Sequence, residues 1–338
     1  GINGEDLIRA SVLGVDVACN LGVACTTGLS FFRPATTGSF AAVAALAAAR
    51  GYEKDMLLRA FALNYTQLSG TMQAHTEGSP LLALQIGVNA RNALSACDWA
   101  ENGLPGLSGV LEGPFGYYSL FEGAGDVHAV LPTLGKTWRI TEVAHKPFPS
   151  GRATHGIVDA VRELRAENTV DHSAVRNVEV RVPQLTHHLI GRPVRDDMAV
   201  NYARLNGQYA AAVMLRFGTI RLENYSETAL CDVDTLSLAK KVKISIDENP
   251  DPNALSPVEV DLHMADGSVL TRKIETVYGN PAKPMSREEQ LAKFQSNWSL
   301  AACGLKERDA DVMINRIDML ETVSDIRELI DLATDHAR

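Results

Sequence analysis

Lys146-Pro147-Phe148-Pro149-Ser150-Gly151-Arg152-Ala153-Thr154-His155 is the stretch on which the architecture turns. Pro147, Pro149 and Gly151 hold a turn, and the following residues, 153–165, carry apolar side chains at helical spacing. The turn therefore hands the chain to a helix N-terminus, where free backbone N–H groups and the helix dipole add positive potential. Lys146 and Arg152 stand on either side of it. Cations on a turn before a helix make a sensible anion site; the plain alternative for the same composition is a solvated loop.

Upstream, residues 5–97 repeat apolar side chains every three or four positions, as in Leu7, Ile8, Val12, Leu13 and Val15, then Met56, Leu57, Phe61 and Leu63. This predicts packed helices, with Gly51 and Gly70 as helix ends. The Ala-rich run 41–49 is small on every face, which suits burial between neighbouring helices. Gly103, Pro105, Gly106, Gly109, Gly113, Pro114 and Gly116 then break the periodicity and predict loops.

Downstream the pattern changes. Residues 138–144 resemble a strand, and 175–182 alternate Val175, Val178, Val180 and Val182 with polar residues as a half-buried strand does. Residues 201–216 return to helical spacing. Residues 242–277 hold two or three strands, with Asp266-Gly267 as the hairpin turn. From Arg287 onward the chain is helical again, with Ile317, Leu320, Val323, Ile326, Leu329, Ile330 and Leu332 forming apolar stripes. The expected fold class is mostly α with an α+β lid. Its helical domain spans 1–132, with helices at about 308–338 returning to it, and a smaller inserted α+β lid spans 133–307.

Composition narrows the function classes. The chain has 338 residues, 46% hydrophobic and 22% charged, enough for a sizeable core. A net charge of -9 with scattered Lys and Arg argues against nucleic acid. No apolar run approaches the roughly 20 residues that span a bilayer, so no membrane partner is expected. Cys19, Cys25, Cys97, Cys231 and Cys303 are widely spaced and read as reduced, mostly core thiols, which makes a cytoplasmic setting the default. The first residues carry neither an initiator Met nor a signal pattern, so a start partway through a longer protein is expected.

No Cys-x-x-Cys pair, His-Glu-x-x-His helix, nucleophile elbow, phosphate loop or dinucleotide fingerprint occurs, so neither a metal nor a cofactor is expected. His187 and His188, read as strand neighbours, would point to opposite faces.

Several stretches share one family pattern. They are Phe32-Arg33-Pro34-Ala35-Thr36-Thr37-Gly38; residues 68–73 with Glu77-Gly78-Ser79 and Gly87; the turn from Lys146 to His155 with Asp159 beyond it; and Gln208-Tyr209-Ala210-Ala211-Ala212 with the later Asp266-Gly267 hairpin and residues 279–294. Their order and spacing resemble MmgE/PrpD proteins over essentially the whole chain. That family's 2-methylcitrate dehydratases, cis-aconitate decarboxylases and iminodisuccinate epimerases act on small polycarboxylic acids in a cleft between a helical and a lid domain, with no metal.

The resemblance implies a lyase of the dehydratase type acting on a small di- or tricarboxylic acid. An epimerase or isomerase, or a non-catalytic subunit, are its alternatives. Lys146 matches that family's lysine at the cleft edge and is the first catalytic candidate. His155 is the second, as a general acid or base by residue type, and Arg33, Thr36, His75 and Arg152 are candidate substrate contacts. By residue type alone, His155 in a first helical turn also reads as structural, and His75 as an exposed loop histidine. Several members carry His at Arg33, Lys at Leu82 and His at Gln85, so this cleft is altered. The family's opening helical segment, which supplies an Asp and a His, has no counterpart here. Either a homodimer or a hetero-complex with a chain supplying that segment is expected.

Overall fold

The computed structural model describes residues 1–301 and 305–334. The first half is helical: α1 (Gly4–Val23), α2 (Arg33–Arg50), α3 (Lys54–Tyr65), α4 (Gln73–Glu77) and α5 (Leu81–Glu101). Asn3 caps α1 by accepting from the Asp6 N–H at 2.8 Å, and Gly51 ends α2 in the left-handed conformation at φ 67°. α2 packs against α1, α3 and α5, and none of its residues from 41 to 49 is exposed, as its alanines require. Gly70 is not a helix end: α3 stops at Tyr65, and Gly70, at φ 138°, brings the chain against the Ala35 methyl.

Loops fill the Gly- and Pro-rich stretch, which closes on one π turn, Tyr118–Glu122. Residues 138–144 are not a strand but contain the 3-10 turn Arg139–Glu142. The reason lies in α1: Asp16 Oδ1 accepts from the Arg139 N–H and Asn20 Oδ1 from Arg139 Nε, both at 3.0 Å. The segment satisfies its backbone on a helix rather than in a sheet.

The second half is mixed. Its elements are α6 (His155–Glu167), β1 (Val175–Val182), α7 (Gln184–Ile190), α8 (Val200–Arg204), α9 (Gly207–Phe217), α10 (Glu227–Leu230), α11 (Val233–Lys240), β2 (Val242–Ile246), β3 (Val258–Met264) and β4 (Val269–Ile274). The sheet order is β2-β1-β3-β4, with β1 and β2 parallel and the remaining pairs antiparallel. Asp266-Gly267 makes the β3–β4 turn, with Gly267 at φ 89° and Asp266 Oδ1 accepting from the Ser268 N–H. Val258, Val260, Leu262 and Met264 alternate inward, and α6 and α9 cover that face.

Two local expectations change here. Residues 201–216 split into α8 and α9, because the Asn206 side chain caps α9 by accepting from the Tyr209 N–H at 2.8 Å. His187 and His188 lie on helix α7, not on a strand. The tail is α12 (Arg287–Ser299), α13 (Glu307–Asp318) and α14 (Arg327–Leu332). It returns to α1, where the Gly4 N–H donates to Val323 O and the Ile326 N–H to Ile2 O.

The fold is mostly α with a small mixed sheet. No helix among the described residues is long and apolar enough to cross a membrane. Cys25 and Cys97 are buried, Cys19 is half-buried, and Cys231 is exposed rather than in the core; Cys303 lies outside the described residues.

A cationic cavity as candidate active site

The turn that opens α6 is built from its own side chains. Ser150 Oγ and Thr154 Oγ1 share a hydrogen bond at 2.7 Å, and Thr154 Oγ1 donates to Gly151 O at 2.9 Å. The Gly151 N–H donates to Arg204 O at 2.8 Å, pinning the turn to the end of α8. A Cβ on Gly151 would lie 2.8 Å from Leu205 Cδ2, so a larger residue there would have to displace the tip of the Leu205 side chain.

Beside the turn lies a cavity of about 440 Å³. Ser79, Leu82 and Ala83 form one wall, the turn from Lys146 to Gly151 a second, and Asn201, Arg204 and Leu205 a third. Lys293 and Asn297 enter from α12. Among the described residues, neither Asp nor Glu lines it. Among the described residues, none of Lys146, Arg152, Arg204 and Lys293 forms an ion pair, whereas many of the remaining Arg and Lys do.

The electrostatic consequence is strain on the cations. Lys146 is exposed toward the cavity, yet loss of water around its ammonium, then Arg152 and Lys293, hold its pKa below the usual lysine value. Burial likewise depresses Arg152 and Lys293. Lys293 Nζ donates to the Lys146 carbonyl, and Arg204 lies over the Tyr225 ring at 5.5 Å with its Nε lacking a partner. An anion in the cavity would offset the charges of Lys146 and Lys293 and give Arg204 a partner.

The structure sorts the residues expected from sequence into separate places. Lys146 lines this cavity and also a neighbouring one of about 420 Å³, where Arg152 joins it beside Glu275 and Asn280. Arg152 donates to Tyr278 O at 2.9 Å and lies 3.4 Å from His155 Nδ1. His155 itself sits under the turn, 1% exposed, its ring edge-on to Phe148 at 5.6 Å. Burial, Arg152 and Lys146 push its pKa down to about 3, so the ring is neutral at ordinary pH. It does not line the cavity.

Arg33, Thr36 and His75 are also absent from that wall. Arg33 donates to Glu122, to Asn253 Oδ1 at 3.0 Å and to Thr27 O at 3.2 Å. Thr36 is fully buried, between Arg33 O and the Tyr117 hydroxyl. His75 is on α4 and buried, not in an exposed loop; Arg192 Nη2 donates to its Nδ1 at 3.2 Å. Burial, Arg192 and His188 bring its pKa to about 4. Leu82 does face the cavity, while Gln85 is engaged by the Thr71 backbone.

Arg204, Lys293, Asn201 and Asn297 escape sequence reasoning because they come from elements far apart in the chain. The signal that could have found Lys293 is its place in the 279–294 stretch. A larger cavity, about 650 Å³, lies among Val17, Phe40, Phe61 and Val110, but its wall is mostly apolar, its charged members Asp16 and Glu112 are acidic, and among the described residues no Lys or Arg lines it. Glu179, Asp261 and His263 bring metal-ligand atoms within 4.8 Å of one another, but Arg181 and Thr271 already engage Asp261.

The chain is similar to cis-aconitate decarboxylase of Homo sapiens, 26% identical over 347 residues that cover 98% of this chain and 69% of the human protein. It is equally similar to the cis-aconitate decarboxylase of Mus musculus, 26% identical over 346 residues, 97% of this chain and 68% of the mouse protein. The family model of the MmgE/PrpD N-terminal domain matches residues 1–129, and that of the MmgE/PrpD C-terminal domain matches residues 148–318. Together the two matched segments take in most of the chain, which belongs to the MmgE/PrpD family.

Proposed function

We propose that this chain is a lyase that acts on a small di- or tricarboxylic acid in the Lys146 cavity, through acid–base chemistry of its own side chains. The observation that carries this reading is the set of Lys146, Arg204 and Lys293 around one cavity with, among the described residues, neither an ion-pair partner nor a lining carboxylate. Dehydration is the reaction proposed. A water molecule takes the proton from the carbon beside a carboxylate, which builds negative charge on that carboxylate, and the hydroxyl on the next carbon leaves as water with a proton from Lys146, completing the double bond; the amine then recovers a proton from solvent. Fixed cations that touch the carboxylate stabilise the charge as it develops. Lys146, with its depressed pKa, is the proton carrier proposed for the leaving oxygen.

Decarboxylation is the second reading, favoured by the similarity to the two cis-aconitate decarboxylases. It uses the same cations, because carbon dioxide departs and leaves an electron pair that the remaining carboxylates must accept. In either reading Arg152 supports the field around Lys146, and His155 is a neutral packing and positioning group. The segment 133–307 is proposed as the lid that holds the cavity against the helical part.

The test is incubation of the protein with a panel of small polycarboxylic acids in deuterated water, followed by proton NMR. Loss of water marks a dehydratase, loss of carbon dioxide a decarboxylase, and deuterium uptake without either an epimerase. Lys146→Ala is expected to abolish whichever turnover is seen. Turnover indifferent to Lys146→Ala, or no acid bound by the folded protein, would overturn the assignment.

A further inference from the structure

α8 and α12 approach the cavity with the same chemistry. Asn201 and Arg204 are three residues apart on α8, and Lys293 and Asn297 four apart on α12, so each pair shares one helical face. All of Asn201, Arg204, Lys293 and Asn297 line the cavity. Each helix thus offers one cation and one side-chain amide. Among the described residues, neither amide has a hydrogen-bond partner within the protein. Arg204 Nε is likewise shielded from water without a partner, and Lys293 Nζ spends one donor on the Lys146 carbonyl and keeps others.

A carboxylate accepts hydrogen bonds through both oxygens, and a cation beside an amide NH₂ supplies one charged and one neutral donor to it. We propose that Asn201–Arg204 and Lys293–Asn297 are two separate carboxylate-binding pairs that measure the distance between two acid groups of the substrate, leaving Lys146 for the reacting end. This rests on the reading of the cavity as a polycarboxylate site and assigns its specificity to residues outside the Lys146 turn. The apolar Leu82, Leu205 and Leu222 also line the cavity and suit the hydrocarbon between the acid groups.

The experiment is calorimetric titration of small dicarboxylic and tricarboxylic acids, each paired with analogues in which one carboxylate is replaced by a carboxamide. The proteins are the unchanged chain, Lys293→Met, Arg204→Met, and the charge-keeping Lys293→Arg and Arg204→Lys. Each Met variant is expected to lose about 10- to 100-fold in affinity for the best acid. It should also become indifferent to amidation of the one carboxylate its pair held, and Lys293→Arg should recover most of the loss. Thermal unfolding of each variant shows that it is folded, and indifference to one amidation alone is not something a general structural defect produces.

Unchanged affinity in both Met variants, with binding still lost in Lys146→Met, would overturn the pairs and leave the cavity as the acid site. Failure of every acid to bind the unchanged chain would overturn the reading of the cavity and the pairs together. Equal sensitivity to both amidations in a Met variant would show a diffuse field rather than discrete pairs, and would overturn the proposal as well.

Discussion

Glu122 accepts hydrogen bonds from Arg33 Nε at 3.0 Å and Arg33 Nη2 at 2.7 Å, and from the Tyr117 hydroxyl at 2.7 Å. The carboxylate is 2% exposed, so its charge is compensated within the fold. Arg33 also reaches Asn253 in the β2–β3 connection, which ties the start of α2 to the mixed half. Removing one partner leaves the other as a buried, uncompensated charge, whereas removing both does not. Arg33→Met or Glu122→Leu alone should therefore cost about 3 to 5 kcal/mol. The double variant should cost clearly less than the sum, as read from urea unfolding of all four proteins; strict additivity would show that the two groups do not compensate each other.

His155 gives a pH prediction. Its folded pKa, about 3, lies below the unfolded value, so the unfolded chain binds the extra proton first as pH falls. The stability this residue contributes is complete above the unfolded pKa, near 6.5, and is lost progressively toward the folded one. Stability should fall by up to about 1.4 kcal/mol per pH unit through this window on account of His155. His155→Gln removes that component, so urea midpoints of variant and parent should converge on acidification. Parallel curves would mean that the buried ring titrates equally in both states.

Lys146 gives the complementary kinetic prediction. Its pKa is held below 10.5 by desolvation and by Arg152 and Lys293. If the ammonium form holds and protonates the substrate, kcat/KM declines as pH rises through that lowered value. Arginine stays charged far above it, so Lys146→Arg should lose the alkaline limb while working at a much reduced rate, because guanidinium is a poor proton donor. A pH profile of kcat/KM from about pH 6 to 10 separates the two. An alkaline limb that persists in Lys146→Arg would assign it to another group.

The turn at Lys146 was legible because its signal is local. Proline, glycine and cations within ten residues dictate both the backbone and the charge. The strand at Val175–Val182 and the Asp266-Gly267 hairpin were legible for the same reason, through alternation and turn chemistry. Residues 138–144 misled because their β-like composition is overruled by Asp16 and Asn20, more than a hundred residues away in sequence. The cavity's charge failed to show in the same way: Lys146, Arg204 and Lys293 meet only once α8 and α12 are packed beside the turn. Arg33 read as a substrate contact because its partner Glu122 lies in a loop whose inward turn is π-helical. No periodicity argument places that carboxylate.

Gly78 and Gly51 allow one packing prediction with an internal control. Both are helix C-caps at φ 67°, so alanine meets the same backbone penalty at each, about 1 kcal/mol. Their surroundings differ. A Cβ on Gly51 meets nothing within 4 Å, but on Gly78 it would lie 2.5 Å from Tyr202 Cα and 2.8 Å from Tyr202 N. Backbone cannot swing aside as a side chain does, so Gly78→Ala must push α8 away from the segment that carries Ser79. Its cost should exceed that of Gly51→Ala by roughly 1 to 3 kcal/mol in urea unfolding. Because Ser79 and Asn201 both line the cavity, Gly78→Ala should also weaken polycarboxylate binding, while Gly51→Ala leaves it unchanged. Equal destabilisation by both substitutions would show that α4 and α8 are not held as close as 2.5 Å implies.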